Sequence, residues 1–478
     1  MTQKYESYIA GRWVGGKSFS PDENPSDLDN PVGEFADADA ADVAEAAAAA
    51  KVAQRAWAAT TPQQRADILD RIGSEILARK EELGRLLAME EGKRLPESMG
   101  EAARAGQIFK FFAGEALRIP GERLASTRPG VDIEITREPV GVVGIIAPWN
   151  FPLAIPAWKI APALAYGNSV VFKPAESVPA CAWALAEIIS RAGVPDGVFN
   201  LVIGTGGVVG KAIVDAPEID ALSFTGSVAT GNRLLQDAAA RGLKIQLEMG
   251  GKNPLVVMAD ADLDQAVRCA IDGAFFSTGQ RCTASSRLIV ERPVYDAFVE
   301  RMQKAMQALK VGPALAGDTD IGPVASARQF EQDRSYIQIG RDEGARLLWG
   351  GETVDVGPRG YYLQPTLFEA RPDHRISVEE IFGPVACVMP ADDYEHALSL
   401  ANDTRYGLCG GICTTSLRHT THFKRHAQVG MVMVNLPTAG VDPHVAFGGR
   451  KGSSYGPREQ GRYAAEFYTT VKTAYTAA

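Results

Sequence analysis

Val142-Val143-Gly144-Ile145-Ile146-Ala147-Pro148-Trp149-Asn150-Phe151-Pro152 opens a change of texture in the chain. Its first five residues are a short apolar run ended by a proline-bracketed turn, which reads as a buried strand. Similar runs follow at 169–172, 198–202, 221–224 and 243–247, with helical patterns between them. Apolar strands alternating with helices predict a parallel sheet covered on both faces. Such sheets bind ligands at the carboxyl ends of their strands.

The residues that follow each run are therefore the candidates for chemistry. Pro148 and Pro152 fix the backbone around Asn150, so its amide points one way. A rigid amide is a good oxyanion donor. A plain turn with Asn as cap is the other reading. Lys173-Pro174-Ala175-Glu176 ends the next strand. A Lys and a Glu there suit a ribose, the Glu accepting from sugar hydroxyls, although an exposed salt bridge also fits. Gly204 to Gly210 is spaced GxGxxxG rather than GxGxxG, which predicts a cofactor that does not lie over this helix in the usual Rossmann way. Phe224-Thr225-Gly226-Ser227 ends a strand and starts a helix, where Ser227 can cap and meet a phosphate. Glu248 stands before Gly250 and Gly251, with the open space that a base reaching for a water needs. Glu379-Glu380-Ile381-Phe382-Gly383-Pro384-Val385 and Phe447-Gly448-Gly449-Arg450-Lys451 complete the series. Each reads alone as a turn; their joint occurrence in this order does not.

A second α/β unit begins near Asn253, with strands at 255–258, 288–290, 386–389 and 410–414 and helices at 263–276 and 294–309. Gly279-Gln280-Arg281-Cys282 lies inside it. Small residues leave room around the sulfur, and the neighbouring Arg281 favours thiolate. Cys282 thus reads as a nucleophile, with a buried apolar cysteine at a helix end as the alternative.

Upstream, 8–14 reads as a hairpin and 41–57 as an amphipathic Ala-rich helix. A helix begins at the N-cap Thr61 with Pro62 at its first position and runs to 89, and another covers 96–117. The polar-out alternation of 131–135 predicts an exposed edge open to pairing with another subunit. Residues 463–471 read as a strand-like tail.

Bulk properties narrow the classes. The 478 residues carry a net charge of -9 and no Lys/Arg run, which argues against nucleic acid or an anionic membrane as partner. No apolar stretch of about 18 residues is present, so no membrane span is expected. Residues 1–13 lack a signal-peptide pattern, and six cysteines without CxxC spacing suit a reducing cytoplasm. His419, His422 and His426 can share a helix face, but Arg418 and Arg425 lie among them; a solvated basic face is expected, and no metal site.

Taken together, the motifs resemble the aldehyde dehydrogenase superfamily over nearly the whole chain. The resemblance implies an α/β fold: a Rossmann-like parallel-sheet cofactor domain (1–120 and 139–249), an α/β catalytic domain (250–449) and a small β oligomerisation arm (121–138 and 450–478). It implies Cys282 as nucleophile, Asn150 with the Cys282 N–H as oxyanion hole, and Glu248 as general base. Lys173 and Glu176 would hold the adenosine ribose. Gly206, Gly210 and Ser227 would line the pyrophosphate region with Ile146, Trp149 and Phe224 nearby, and Glu380 and Phe382 would place the nicotinamide ribose and ring. Met249 replaces the usual Leu after the Glu, a swap that conserves volume.

The implied reaction is oxidation of an aldehyde to an acid, with Glu248 favouring water over coenzyme A as acyl acceptor. The cofactor would be NAD, with NADP possible, because the Glu176 carboxylate repels a 2′-phosphate. Phe151, Ile155, Trp158, residues near 111–114, Arg281, Val441 to Phe447 and His444 are the implied pocket, in a homodimer or homotetramer. Residues 434–442 and 447–461 are similar to the α-ketoglutaric semialdehyde dehydrogenases, although Ala446 stands where Pro usually precedes the Phe-Gly-Gly. A keto acid substrate needs a cation for its carboxylate, and Arg104, Lys110, Arg281 and His444 are unranked candidates. Succinic semialdehyde, aliphatic or aromatic aldehydes and hydroxyaldehydes are the other substrates considered.

Two rival classes remain. Gly452-Ser453-Ser454-Tyr455-Gly456 matches the GxSxG of serine hydrolases, with Ser454 as nucleophile, but no His follows His444. A structural protein built on a dehydrogenase fold is opposed by the intact Cys282, Glu248 and Asn150.

Overall fold

The computed structural model describes residues 4–477; Met1 to Gln3, part of the segment read for a signal peptide, and Ala478 lie outside them. Two large sheets dominate. The first runs, edge to edge, Ser454–Tyr455, Lys244–Glu248, Ala221–Thr225, Val142–Ile146, Ser169–Lys173, Phe199–Leu201, Ser7–Ile9 and Arg12–Val14. Its five central strands are parallel, and the added edge strands are antiparallel. The central strands are mostly apolar because both faces are covered. Val142, Val171 and Leu222 pack with Val43, Ala46 and Ala50 of the helix Ala40–Ala58. Val143, Val170 and Phe172 face the opposite side, toward Leu69, Phe109 and Leu185. Side chains that alternate across each strand thus feed two cores.

The second sheet runs Arg346–Trp349, Thr366–Glu369, Val385–Ala391, Arg287–Glu291, Pro254–Val257, Cys409–Cys413 and Met431–Val434. All its pairings are parallel except the first. A three-stranded antiparallel sheet joins Glu122–Ala125, Val131–Pro139 and Thr469–Ala477, and a smaller one joins Lys4–Tyr5, Gly33–Asp37 and Ser18–Asp22. The parallel-sheet α/β class read from the apolar runs is what folds.

Two expectations need correction. The helix begun at Thr61 does not continue to 89. It ends at Ala78, and a separate helix runs Lys80–Glu91 after Arg79, which has non-helical dihedrals. Apolar periodicity persists across that joint, so the break is invisible to it. The tail strand begins at Thr469 rather than 463, because Ala465–Tyr468 forms one helical turn. Ser454–Tyr455 pairs with Lys244–Glu248, so this part of 450–478 completes the first sheet.

Candidate active site

The approach to Cys282 is an unusual backbone turn. Ser277, Thr278 and Gly279 all have left-handed φ, at 51°, 56° and 66°. A β-branched residue rarely adopts this conformation, so neighbours must hold it. Ser277 N donates to Glu97 at 3.1 Å, and Thr278 Oγ1 donates to the Gly322 carbonyl at 3.1 Å. Buried Gln280 accepts from Ala325 N at 2.9 Å. Its backbone carbonyl accepts from Asn150 Nδ2, also at 2.9 Å. On the other side, Asn253 Nδ2 donates to the carbonyls of Cys282 at 2.8 Å and Ala284 at 3.0 Å. Two buried amides, one after the strand Val142–Ile146 and one just before Pro254–Val257, therefore clamp the cysteine segment. Asn253 was not singled out from the sequence, although it lies inside a quoted motif.

Cys282 faces a cavity of about 340 Å³ that it lines with Phe151, Trp158, Thr283, Val441 and Phe447. Burial, then the charges of Glu380 and Glu248, push the thiol up from its ordinary value. The sulfur is thus a thiol at neutral pH, against the expectation that Arg281 favours thiolate. Arg281 pairs instead with Glu97 and Asp272, each at 3.2 Å, and donates to Ser277 Oγ at 3.1 Å. Carboxylates at that distance are stronger partners for a guanidinium than a desolvated thiol.

Glu248 ends its strand and is 2 % exposed. Its Oε2 accepts from Ser454 Oγ at 2.6 Å, while Oε1 has no partner among the described residues. Burial and the nearby Glu459 hold it well above the usual carboxylate range. A Cβ at Gly448 would stand 2.8 Å from Oε1, so that glycine leaves the carboxylate room. Behind it Lys159 is paired with Glu459 and donates to Ser223 Oγ at 2.8 Å. Ser454 lies on a two-residue strand with no helix directly after it, and its hydroxyl serves the carboxylate. That is not the strand–nucleophile–helix elbow of a serine hydrolase.

The carboxyl ends of the first sheet fit a dinucleotide. Lys173 Nζ donates to the Pro174 carbonyl at 2.6 Å, and burial lowers it to about 8. Glu176 accepts from Gly206 N at 3.1 Å. Gly206–Gly210 is a wide π turn, in keeping with the GxGxxxG spacing, and Gly206 and Gly207 have open space where side chains would stand. A Cβ on Gly210 would meet Lys173 Cδ at 3.8 Å and Ile146 Cδ1 at 4.0 Å, which places these three together. Ser227 caps the helix Val228–Arg241 by accepting from Thr230 N at 3.3 Å. Closer to Cys282, Glu380 accepts from Gly251 N at 2.7 Å, and burial raises it to about 7. The Trp149 and Phe382 rings meet edge to face at 5.3 Å.

Several expected site residues lie elsewhere. The Phe224 ring is buried in the core against Gly226 and Gly231. Ile155 packs in the core; every residue of its helix Ala154–Ala165 is buried, so spacing from Phe151 could not tell tunnel from core. Residues 111–114 do not line the cavity. Glu97, Gly100, Glu101 and Arg104, earlier on the same helix Leu95–Ala116, do. Their i, i+3, i+4, i+7 spacing was the available signal. Lys110 turns away to Asp70 and Ser74, and His444 is exposed. His419 stacks on Tyr394 at 4.4 Å, His422 Nδ1 bonds the Tyr394 hydroxyl at 2.9 Å, and His422 stacks on His426. Among the described residues no cluster of His, Cys, Asp or Glu is placed to hold a metal.

A cavity with both aromatic and charged walls and a groove fitted to a nucleotide, both adjoining one sulfur, define a class of nucleotide-dependent oxidoreductases. The chain belongs to the aldehyde dehydrogenase family, whose model matches residues 13–474. It is 43% identical over 479 residues to an alpha-ketoglutaric semialdehyde dehydrogenase of Bacillus subtilis, covering 98% of each chain. It is 41% identical over 472 residues to a 2,5-dioxopentanoate dehydrogenase of Saccharolobus solfataricus, again over 98% of each. The fold superimposes on a crystal structure of betaine aldehyde dehydrogenase from Staphylococcus aureus in complex with NAD+, with a TM-score of 0.97 at 33% identity, covering 99% of this chain and 95% of that one.

Proposed function

We propose that this aldehyde dehydrogenase oxidises 2,5-dioxopentanoate, the α-ketoglutaric semialdehyde, to its dicarboxylic acid with NAD as cofactor. The single observation that carries the mechanism is the unpartnered Oε1 of Glu248 at a site shared with Cys282. The substrate follows from the two relatives over 40% identical across nearly the whole chain.

Cys282 gives its proton to solvent, the thiolate Sγ adds to the aldehyde carbon, and the carbonyl π pair moves to oxygen as a tetrahedral oxyanion. The Asn150 amide and the Cys282 N–H are the donors for that oxygen. Lys173, Glu176, Gly206, Gly210 and Ser227 would hold NAD, with Trp149, Glu380 and Phe382 setting its nicotinamide end, and the bound cofactor would supply the hydride acceptor. The acyl group is then a thioester on Sγ. Glu248 takes a proton from water, the water attacks the thioester carbon, and the acid leaves as Sγ is freed. The Lys159–Glu459 pair behind Glu248 offers that proton a way onward.

We assign residues 1–120 with 139–249 to the nucleotide domain, 250–449 to the catalytic domain, and 121–138 with the tail of 450–478 to the assembly arm of a homodimer or homotetramer. The six cysteines, all free, suit the cytoplasm. A panel of semialdehydes and simple aldehydes, followed by NADH formation, tests the reading. The five-carbon keto semialdehyde should give the highest kcat/KM, and Cys282→Ala should abolish turnover while retaining NAD binding. Full turnover by that variant sinks the mechanism, and a better simple aldehyde sinks the substrate.

A further inference from the structure

We propose that Arg104 is the specificity-determining residue of the substrate cavity, grasping the carboxylate at the far end of the semialdehyde whose carbonyl meets Cys282. This rests on the substrate reading above.

The cavity is lined by three cations, Lys93, Arg104 and Arg281, and three carboxylates, Glu97, Glu101 and Asp272. Lys93 is fully buried and bound to Glu101 at 2.7 Å and to the Asn150 carbonyl at 2.8 Å. Arg281 is held between Glu97 and Asp272. Arg94 adds a second cation on Glu97 at 3.3 Å. Every lining carboxylate is thus matched without Arg104.

Arg104 itself binds only neutral acceptors. One terminal nitrogen donates to the Val441 carbonyl, and the other to Gln460 Oε1 at 3.1 Å. No carboxylate lies within ion-pair distance of it among the described residues. The two bonds fix the guanidinium plane and leave N–H groups unused, the arrangement that receives a carboxylate.

A second observation points the same way. The buried donors at this end lack partners: Arg104 Nε, Trp158 Nε1 and Gln460 Nε2 are all without an acceptor among the described residues. Native interiors rarely leave donors so. Trp158 lines the cavity, and the Arg104 guanidinium sits 5.9 Å from its ring centroid. Two unpartnered donors on residues of the cavity wall, Arg104 Nε and Trp158 Nε1, with a third on Gln460 behind Arg104, call for an oxygen-rich ligand. A carboxylate next to a keto group supplies acceptors in that pattern, and a plain alkyl aldehyde supplies none.

The test compares 2,5-dioxopentanoate with pentanal, its uncharged chain analogue, in wild type, Arg104→Met, Arg104→Gln and Arg104→Lys. Wild type should prefer the charged aldehyde. Arg104→Met and Arg104→Gln should lose roughly 100-fold or more in kcat/KM for it, mostly through KM, while changing roughly threefold or less on pentanal. Arg104→Lys should recover part of the loss. A readout without turnover uses glutarate, which should protect Cys282 from alkylation in wild type and not in Arg104→Met. Equal losses on both aldehydes, with protection intact, assign Arg104 to holding the Val441 loop and overturn the proposal. Retained preference in Arg104→Met and Arg104→Gln overturns it while leaving the substrate reading standing. A wild type that prefers succinic semialdehyde through Arg104 overturns the substrate reading and supports the residue. A wild type indifferent to any carboxylate overturns both.

Discussion

In the proposed mechanism Cys282 and Glu248 must each lose a proton before they act, and burial opposes both. Both shifts are upward, so the reactive forms gain population as the pH rises. The rate should therefore keep climbing as the pH rises through and above neutrality rather than peak there. Ser454 works against the shift at Glu248, since its hydroxyl donates to the ionised carboxylate. Ser454→Ala should raise the carboxyl further and move the base-dependent limb of the kcat profile to higher pH; a superimposable profile counts against that role. Glu248→Gln separates the two halves of the reaction. One equivalent of NADH per site should form in a burst, with steady turnover reduced by about 10²–10⁴. Loss of the burst itself would mean that Glu248 also serves the addition step.

At the scale of elements, the joints that follow strands and one helix carry the proposed chemistry, and the left-handed turn at Ser277, Thr278 and Gly279, after the helix Leu263–Phe275, is the most constrained of them. A Cβ at Gly279 would run into the Gly383 carbonyl, and its φ disfavours any side chain. Gly279→Ala should either fold poorly or displace Cys282, with a loss of roughly 100-fold in kcat. Circular dichroism beside the kinetics distinguishes these, and near-normal activity shows the turn to be dispensable. Ordinary elements were legible because periodicity reports them directly: the parallel strands, the Thr61 cap and the Ser227 cap are read from residue type and spacing. The break at Arg79 and the helical turn Ala465–Tyr468 were not, since neither Gly nor Pro marks them.

For the whole molecule, the sheet of Glu122–Ala125, Val131–Pro139 and Thr469–Ala477 is the exposed feature. The tail pairs along nine residues yet leaves Val471 and Tyr475 each 59% exposed on one face. Such apolar, edge-bearing sheets are covered in assemblies. Val471→Glu with Tyr475→Glu should lower the particle mass in light scattering, and an unchanged mass rules this face out as the contact. The residues that meet at Cys282 come from separate segments around Asn150, Glu248, Asn253 and Glu380, and most of their motifs could be read one by one because they sit at strand ends. The cavity wall was harder. Lys110, His444 and residues 111–114 were plausible by type, but which face of the helix Leu95–Ala116 looks inward depends on what packs behind it. The sequence by itself determined the α/β class, because apolar patterning specifies it, and it marked Cys282, Asn150, Glu248 and the cofactor bed as candidates through the joint resemblance of their motifs to one family. Only the tertiary structure decided the thiol's protonation, the pairing of Arg281 and the selection of Arg104, because desolvation and charge compensation depend on neighbours brought together by the fold.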